Sequence, residues 1–180
     1  MIKQTQLSLY LQDFLECAQF KDYAPNGLQV EGKQDIQRIC TAVTASEEVI
    51  SKAVAWQADA LLVHHGYFWR GEDPAIKGMK GQRIKKLLNH DINLLAYHLP
   101  LDCHVELGNN ACLAKILSIN LVSRHAAGGT NNLLWSGRLA SSMAPEQFAQ
   151  YIEKCLGRAP LHISSNKKNT TDYSPLLTFL

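Results

Sequence analysis

Apolar and polar residues alternate along this chain in two patterns, one typical of helices and one typical of buried strands. Apolar residues recur every three or four positions in several segments, which predicts amphipathic helices. Between them lie short apolar runs, some rich in β-branched residues, which predict strands buried on both faces. The predicted helices cover residues 7–18, 46–56, 83–89 and 106–117, and the predicted strands cover residues 36–45, 60–63, 92–97 and 120–123.

The order of these elements predicts an α/β fold. A strand, a helix and a second strand follow one another, and such a crossover is nearly always right-handed and makes the two strands parallel. We therefore expect a mostly parallel sheet flanked by helices. Glycines and asparagines cluster at residues 126–132, which predicts a boundary there. The expected division is an N-terminal α/β metal-site domain, residues 1–127, and the start of a second region, residues 128–180.

Two of the predicted strands end in residues that bind metals well. His64 and His65 follow one apolar run, and His98 and Asp102 follow another. Ligands of open α/β sheets lie just beyond the carboxyl ends of the strands. Neighbouring side chains of a strand point in opposite directions, so we expect His64 and His65 to reach two ions rather than to share one. Imidazole with carboxylate suits zinc, iron, manganese or nickel better than calcium.

The roles of His98 and His104 stay open at this stage. His98 suits a proton-carrying catalytic group, a residue that orients a ligand, or a hydrogen-bonded structural histidine. His104 follows Asp102 closely and suits either a ligand or a structural role. We take His98 as the candidate catalytic residue, and His64, His65 and Asp102 as the candidate metal ligands.

Composition and charge narrow the class of protein. The net charge of +2 is too small to indicate a nucleic-acid partner, and no apolar run reaches the ~20 residues of a membrane span. The N-terminus lacks the apolar region of a signal peptide, so we expect a cytoplasmic protein. Five cysteines without a C-x-x-C pair predict reduced thiols. Basic residues between Arg70 and Lys86 favour a phosphorylated or nucleotide small molecule, or else form a solvated helix face.

Three motifs resemble those of the YbgI-like, GTP cyclohydrolase type 2 homologue family, also called NIF-three-like. They are DYAPNGLQVEG at residues 22–32, VHHGYFW at residues 63–69 and HLPLDCHVELGNN at residues 98–110. The resemblance implies an α/β protein that assembles into a homohexameric ring and binds two divalent metal ions. It implies that His64, His65 and Asp102 hold the ions, and that the protein is a metal-dependent, cyclohydrolase-like hydrolase.

The chain departs from the pattern of that family in its last part. The family completes its metal site with a His-x-x-x-Glu pair much further along the chain. Here no glutamate follows Glu153, and His162 is followed four residues later by Asn166. From Ser164 the sequence is polar and without periodicity, and it ends in an apolar tail. We therefore expect a truncated or frame-shifted chain with an incomplete second half. A non-catalytic metal-binding or assembly module, inactive through loss of the C-terminal ligands, is the alternative function.

Overall fold

The computed structural model describes residues 1–163 and the strand at residues 177–179 of the 180-residue chain. These residues form two compact units, Met1–Leu101 and Asp102–Leu180. Most of the polar tail that follows Ser164, including Asn166, lies outside the described residues.

The first unit is built on a four-stranded sheet. Its strand order is β2-β6-β5-β4, with β4, β5 and β6 parallel and β2 antiparallel to β6. The prediction of an α/β fold with a mostly parallel sheet is therefore confirmed. The strands are β1 (Ile2–Lys3), β2 (Gly27–Val30), β3 (Asp35–Ile36), β4 (Ile39–Thr44), β5 (Ala60–His65) and β6 (Asn93–Ala96), and the helices are α1 (Gln4–Phe14), α2 (Glu47–Ala55) and α3 (Gly78–Asn89).

Helices α2 and α3 cover the sheet with apolar faces that the sequence predicts. Helix α2 begins at the expected N-cap, where the Ser46 hydroxyl accepts a hydrogen bond from the backbone N–H of Val49 at 3.2 Å. The carboxylates of Glu47 and Glu48 in its first turn interact favourably with the positive end of the helix dipole. The core between helices and sheet contains fully or almost fully buried side chains of α2, α3, β5 and β6: Ile50, Ala53, Ile84, Leu87, Leu61, Val63 and Leu94.

The single strand predicted at residues 36–45 is in fact two strands, β3 and β4. The backbone N–H groups of Gln37 and Arg38, which lie between them, both donate to the Asp59 carboxylate at 3.0 Å. Because a side chain from a distant part of the chain satisfies these donors, the segment can leave one ladder and enter another. Asp59 also accepts a hydrogen bond from the ammonium group of Lys33 at 2.7 Å.

Replacing Asp59 by asparagine should destabilise the first unit in a pH-dependent manner. Burial alone would raise the pKa of Asp59, but the hydrogen bonds from Lys33, Gln37 and Arg38 outweigh it and lower that pKa to about 2. The carboxylate therefore stabilises the fold fully above its unfolded pKa of ~4, and this contribution disappears as the pH falls through about 2. We expect Asp59→Asn to lose about 1–2 kcal/mol at pH 7 and little near pH 2. Urea unfolding at both pH values tests this. An equal loss in the free energy of unfolding at both pH values would contradict the prediction. Asp91→Asn is the control, because Asp91 is exposed.

The second unit contains a three-stranded antiparallel sheet of order β7-β8-β9. Its elements are β7 (Asn120–Ala127), β8 (Thr130–Arg138), β9 (Leu177–Phe179), α5 (Asn109–Ile116) and α6 (Pro145–Leu156), and the short helix α4 (Leu99–Cys103) spans the division between the units. Apolar side chains of α6, including Phe148 and Ile152, pack against a cluster that contains Leu117, Ile119 and Leu139.

The glycines near residue 128 form a hairpin turn inside the second unit. Ala127 pairs with Thr130, and Gly128 and Gly129 between them have φ values of +56° and +81°. Two successive residues with positive φ are typical of the tight turns that join antiparallel strands. The predicted boundary after residue 127 therefore falls in the turn of a hairpin, whereas the two compact units divide at Leu101. The division of the chain into domains at residue 127 stays a prediction.

Two expectations about the chain's environment can be compared with the described residues. In those ranges, none of the helices has the length and apolar character needed to cross a membrane. All five cysteines are free, and the reduced state of the thiols stays a prediction. Burial raises the pKa of the Cys17 thiol to about 11, so this thiol is protonated and unreactive at neutral pH.

Candidate metal centre

Three histidines meet at the carboxyl ends of β5 and β6. His64 and His65 are the last two residues of β5, and His98 follows the neighbouring parallel strand β6. One ring nitrogen of each lies within 4.8 Å of the others, so the group could hold a metal ion. The ring centroids are 4.4 Å apart for His64 and His65, and 5.0 Å apart for His64 and His98. Neighbouring parallel strands thus place their terminal side chains at one edge, as the sequence predicts.

The alternation of side chains along β5 does not separate the two adjacent histidines. The Nδ1 atom of His64 lies 3.1 Å from the Tyr97 carbonyl oxygen beside β6, whereas that of His65 lies 3.1 Å from the Thr44 hydroxyl on β4. The two side chains thus contact different neighbouring strands. The two rings nevertheless lie close together, with their centroids 4.4 Å apart. One ion can therefore contact both rings, and the expected second ion stays a prediction.

Hydrogen bonds fix the tautomers of two of the rings. A carbonyl oxygen only accepts hydrogen bonds, so the Nδ1 atom of His64 carries the proton that it donates to Tyr97. The Nδ1 atom of His98 lies 2.8 Å from a carboxylate oxygen of Asp22 and donates in the same way. In a neutral imidazole protonated at Nδ1, the lone pair is on Nε2, which is the form that ligates metals.

Asp22 is the main functional residue that the sequence analysis missed. Its side chain is only 3% exposed, and it accepts hydrogen bonds from His98, from the Asn26 amide at 2.9 Å and from the Leu99 backbone N–H at 2.9 Å. Burial would raise the pKa of Asp22, but these hydrogen bonds and one from the Tyr23 backbone outweigh it and hold the pKa below its usual value. The group is therefore ionised at neutral pH and orients the imidazole of His98.

Asn26, which lies in the motif at residues 22–32, supports the contact between Asp22 and His98. Its side-chain oxygen accepts a hydrogen bond from the backbone N–H of His98 at 2.7 Å, while its amide nitrogen bonds Asp22. From the sequence, this motif was identified only as one of the three that carry the family resemblance. The available indication that Asp22 and Asn26 support the candidate centre was that both are polar residues of this motif.

Replacing Asp22 by asparagine should weaken metal binding without removing a ligand. The amide lacks the charge that favours the Nδ1-protonated ring of His98, and carboxylates behind metal-binding histidines typically contribute 10–100-fold in affinity. We expect the dissociation constant for Zn²⁺ or Co²⁺ to rise by about 10–100-fold. Isothermal titration calorimetry measures it, with exposed Asp13→Asn as the matched control. Equal affinities for the two variants would contradict a role of Asp22 at the centre.

Asp102 and His104 belong to the second unit and have structural partners there. The Asp102 carboxylate accepts a hydrogen bond from the Asn109 side chain at 2.7 Å. The Nδ1 atom of His104 accepts hydrogen bonds from the backbone N–H groups of Glu106 and Leu107, at 3.3 and 3.1 Å. His104 thus closes a turn ahead of α5. The group of potential ligands in the described structure consists of the three histidines, and Asp102 as a ligand stays a prediction.

The three aromatic residues after His65 serve different purposes. Tyr67 is buried in the core, where its hydroxyl donates to the Ala45 carbonyl at 2.7 Å, and Phe68 packs against the same core. Of the three, Trp69 is the one that borders the histidines, with its ring centroid 4.9 Å from that of His98 and 6.0 Å from that of His65. Tyr67 and Phe68 therefore belong to the core of the first unit, and Trp69 belongs to the surroundings of the candidate centre.

Three of the basic residues between Arg70 and Lys86 have ion-pair or hydrogen-bond partners within the first unit. Lys77 pairs with Asp73 at 2.7 Å, Lys80 donates to the Asp73 carbonyl at 2.6 Å, and Lys86 pairs with Glu47. These contacts reduce the positive charge that a ligand would meet. A phosphorylated ligand attracted by this segment stays a prediction.

A group of imidazoles at the edge of a mixed α/β sheet, with a carboxylate behind one of them, defines a candidate transition-metal centre. The chain belongs to the Duf34/NIF3 (NGG1p interacting factor 3) family, whose sequence profile matches residues 2–172. The resemblance drawn from the three motifs is therefore confirmed.

Curated relatives and solved structures agree with this assignment. Proteins named "GTP cyclohydrolase 1 type 2 homolog" are similar: that of Yersinia pestis is 50% identical over 89% of this chain and 63% of its own length. That of Haemophilus influenzae is 53% identical over 87% of this chain and 62% of its own length. The chain thus spans somewhat under two thirds of these relatives.

A solved structure described as "protein ybgI, unknown function" is 49% identical, covers 89% of this chain and 63% of its own, and has a TM-score of 0.84. A Thermus thermophilus protein is 36% identical over 89% of this chain and 64% of its own, with a TM-score of 0.76.

Proposed function

We propose that this chain is a divalent-metal-binding protein of the metal-dependent hydrolase type, with its centre at His64, His65 and His98. The observation that supports this most strongly is the convergence of three imidazole nitrogens within 4.8 Å of one another. The names of the relatives add a nucleotide, GTP, as the candidate substrate class. Asp102 is proposed as a ligand of a second ion.

The chemistry of the donor set fits a transition metal. Two of the three rings donate from Nδ1 to an acceptor, which leaves the Nε2 lone pair as the ligating atom. Imidazole nitrogens suit zinc, iron, manganese or nickel, and a carboxylate behind a ligand is a common feature of such sites. A bound divalent ion would supply Lewis acidity and lower the pKa of a bound water towards ~7.

The residues of the proposed centre have different roles. His64 and His65 hold the ion from the end of one strand, and His98 holds it from the next. Asp22 keeps the Nδ1 atom of His98 protonated and the ring in place. His98 was predicted as a proton carrier, but its bond to an ionised carboxylate and its place in the group favour ligation.

Metal content and turnover of the purified chain test the proposal together. We expect at least one divalent ion per chain by plasma mass spectrometry, and hydrolysis of GTP or another phosphoester that is lost on chelation and restored by metal. The matched control is the chain with His64 and His65 replaced by alanine. Failure of the chain to bind Zn²⁺, Fe²⁺, Mn²⁺ or Ni²⁺ under any condition would refute the proposed centre.

A non-catalytic metal-binding or assembly module is the second candidate. It is favoured by the number of ligands, because three imidazoles are enough for one ion but few for the two ions of many hydrolytic sites. Stoichiometric metal binding without turnover on the nucleotide panel would support it. Analytical ultracentrifugation with and without metal then shows whether the chain forms the proposed homohexamer.

A further inference from the structure

Two segments of the first unit contact His98: the motif at residues 22–32 and the loop after β5. Arg70 connects these two segments. The backbone N–H of Arg70 donates to the Tyr23 carbonyl at 2.7 Å, and its guanidinium donates to the Asp22 carbonyl, also at 2.7 Å. The guanidinium also lies 5.7 Å from the centroid of the Tyr23 ring. These contacts connect the loop after β5 to the residue whose carboxylate bonds His98.

The same loop places Trp69 against His98. The two rings are nearly perpendicular, at 86°, with their centroids 4.9 Å apart, which is a favourable arrangement for aromatic rings. The indole N–H of Trp69 donates to the Gly66 carbonyl at 3.3 Å. This hydrogen bond fixes the indole within its own loop.

The start of the loop is held tightly on the sheet. The backbone N–H of Tyr67 donates to the Gln29 side chain at 2.7 Å. A Cβ on Gly66 would collide with the Gln29 side-chain oxygen and lie 2.7 Å from the Cβ of Ala96, so only glycine fits there. Phe68 has a φ of +65°, a conformation that non-glycine residues rarely adopt. The first part of this loop, residues 66–70, is therefore held at its start by the sheet and at its end by Arg70.

We infer that Arg70 and Trp69 are positioning residues, which hold the His98 imidazole in one orientation. Arg70 fixes the backbone of Asp22, so that the carboxylate stays bonded to Nδ1, and it fixes the end of the loop that carries Trp69. Trp69 restricts rotation of the ring by contact. The inference deepens the proposed function, since an ordered His98 is prepared for ligation before any ion arrives.

The experiment measures the His98 ring in the metal-free full chain by NMR. Ring protons of His98 should show a shift caused by the Trp69 indole, and the imidazole nitrogens should report a single tautomer protonated at Nδ1. Arg70→Met removes the guanidinium but keeps an unbranched, flexible side chain in place of the aliphatic stem of the arginine. We expect this variant to lose at least half of the indole-induced shift and to populate the second tautomer. Trp69→Phe should keep the tautomer that Trp69→Ala disturbs.

Lys77→Met is the matched control, because Lys77 is exposed and pairs with Asp73. A purely structural role of Arg70 would lower thermal stability but leave the His98 resonances of the folded protein unchanged. Unchanged resonances in Arg70→Met would overturn the inference.

A second measurement separates this inference from the proposed function. Co²⁺ titration should show an affinity about 3–10-fold lower for Arg70→Met than for the Lys77→Met control, below the effect typical of direct ligand partners. If the unmodified chain binds no Co²⁺ or other tested ion, the proposed centre fails. The NMR result in the metal-free protein still decides whether Arg70 and Trp69 position the ring.

Discussion

Replacing both His64 and His65 by alanine is expected to abolish stoichiometric metal binding, with a loss in affinity above about 100-fold. The change removes two of the three imidazoles whose nitrogens converge within 4.8 Å. Residues that only support a ligand already contribute 10–100-fold, so the loss of two ligands should exceed that range. Isothermal titration calorimetry with Zn²⁺ or Co²⁺ and metal analysis after dialysis measure the effect.

The control for this variant is the double replacement of His90 and His125 by alanine. It removes the same number of histidines outside the group, since His90 bonds the Lys86 carbonyl of its own helix and His125 bonds two serines of the hairpin. It should bind metal like the unmodified chain. Equal loss in both double variants would mean that the ions bind histidines nonspecifically, and retention in His64→Ala/His65→Ala would place the centre elsewhere.

Replacing the buried Asn93 by leucine is expected to destabilise the first unit by about 3–5 kcal/mol. Asn93 is completely buried at the start of β6. Its side-chain oxygen accepts from the Gly32 backbone N–H at 2.9 Å, and its amide donates to the carbonyls of Lys33 and Asp59 at 2.8 and 3.0 Å. Leucine has a similar volume but leaves the Gly32 donor and the Lys33 acceptor without these partners. A backbone group that loses its hydrogen bond where water cannot replace it costs about 1–3 kcal/mol.

Two further variants show whether hydrogen bonding is the cause. Asn93→Asp keeps the acceptor for Gly32 but turns a negative charge towards two carbonyl oxygens, so it should destabilise the unit at least as much at pH 7. Asn89→Leu at the exposed end of α3 should change the free energy of unfolding by less than about 0.5 kcal/mol. Urea unfolding measures all three. A loss below about 1 kcal/mol for Asn93→Leu would show that the hydrogen bonds of Asn93 contribute little.

Local patterns in the sequence were sufficient to predict most elements of the first unit. The apolar runs that end at His64 and His98 correspond to β5 and β6, and Ser46 caps α2 as expected. These features depend on neighbouring residues and on which face of an element is buried, so periodicity reports them directly. The prediction failed at Gln37 and Arg38, where the distant Asp59 accepts the backbone hydrogen bonds and divides one expected strand into two.

The glycines at residues 128 and 129 illustrate another limit of composition. Glycines are common both in linkers and in tight turns, because both need residues with positive φ or high flexibility. Only the pairing of Ala127 with Thr130 shows that Gly128 and Gly129 form a turn between paired strands. Composition alone does not distinguish these two uses of glycine.

For the candidate site, the sequence by itself determined that histidines end two neighbouring strands and that this chain resembles the Duf34/NIF3 family. Only the tertiary structure showed that all three rings converge and that Asp22 supports His98, 76 residues away along the chain. The physical reason is the pairing of β2 with β6, in which Gly27 lies opposite Ala96. This antiparallel register places the turn before β2 beside the residues after β6, and a register between distant strands leaves no periodic trace in the sequence.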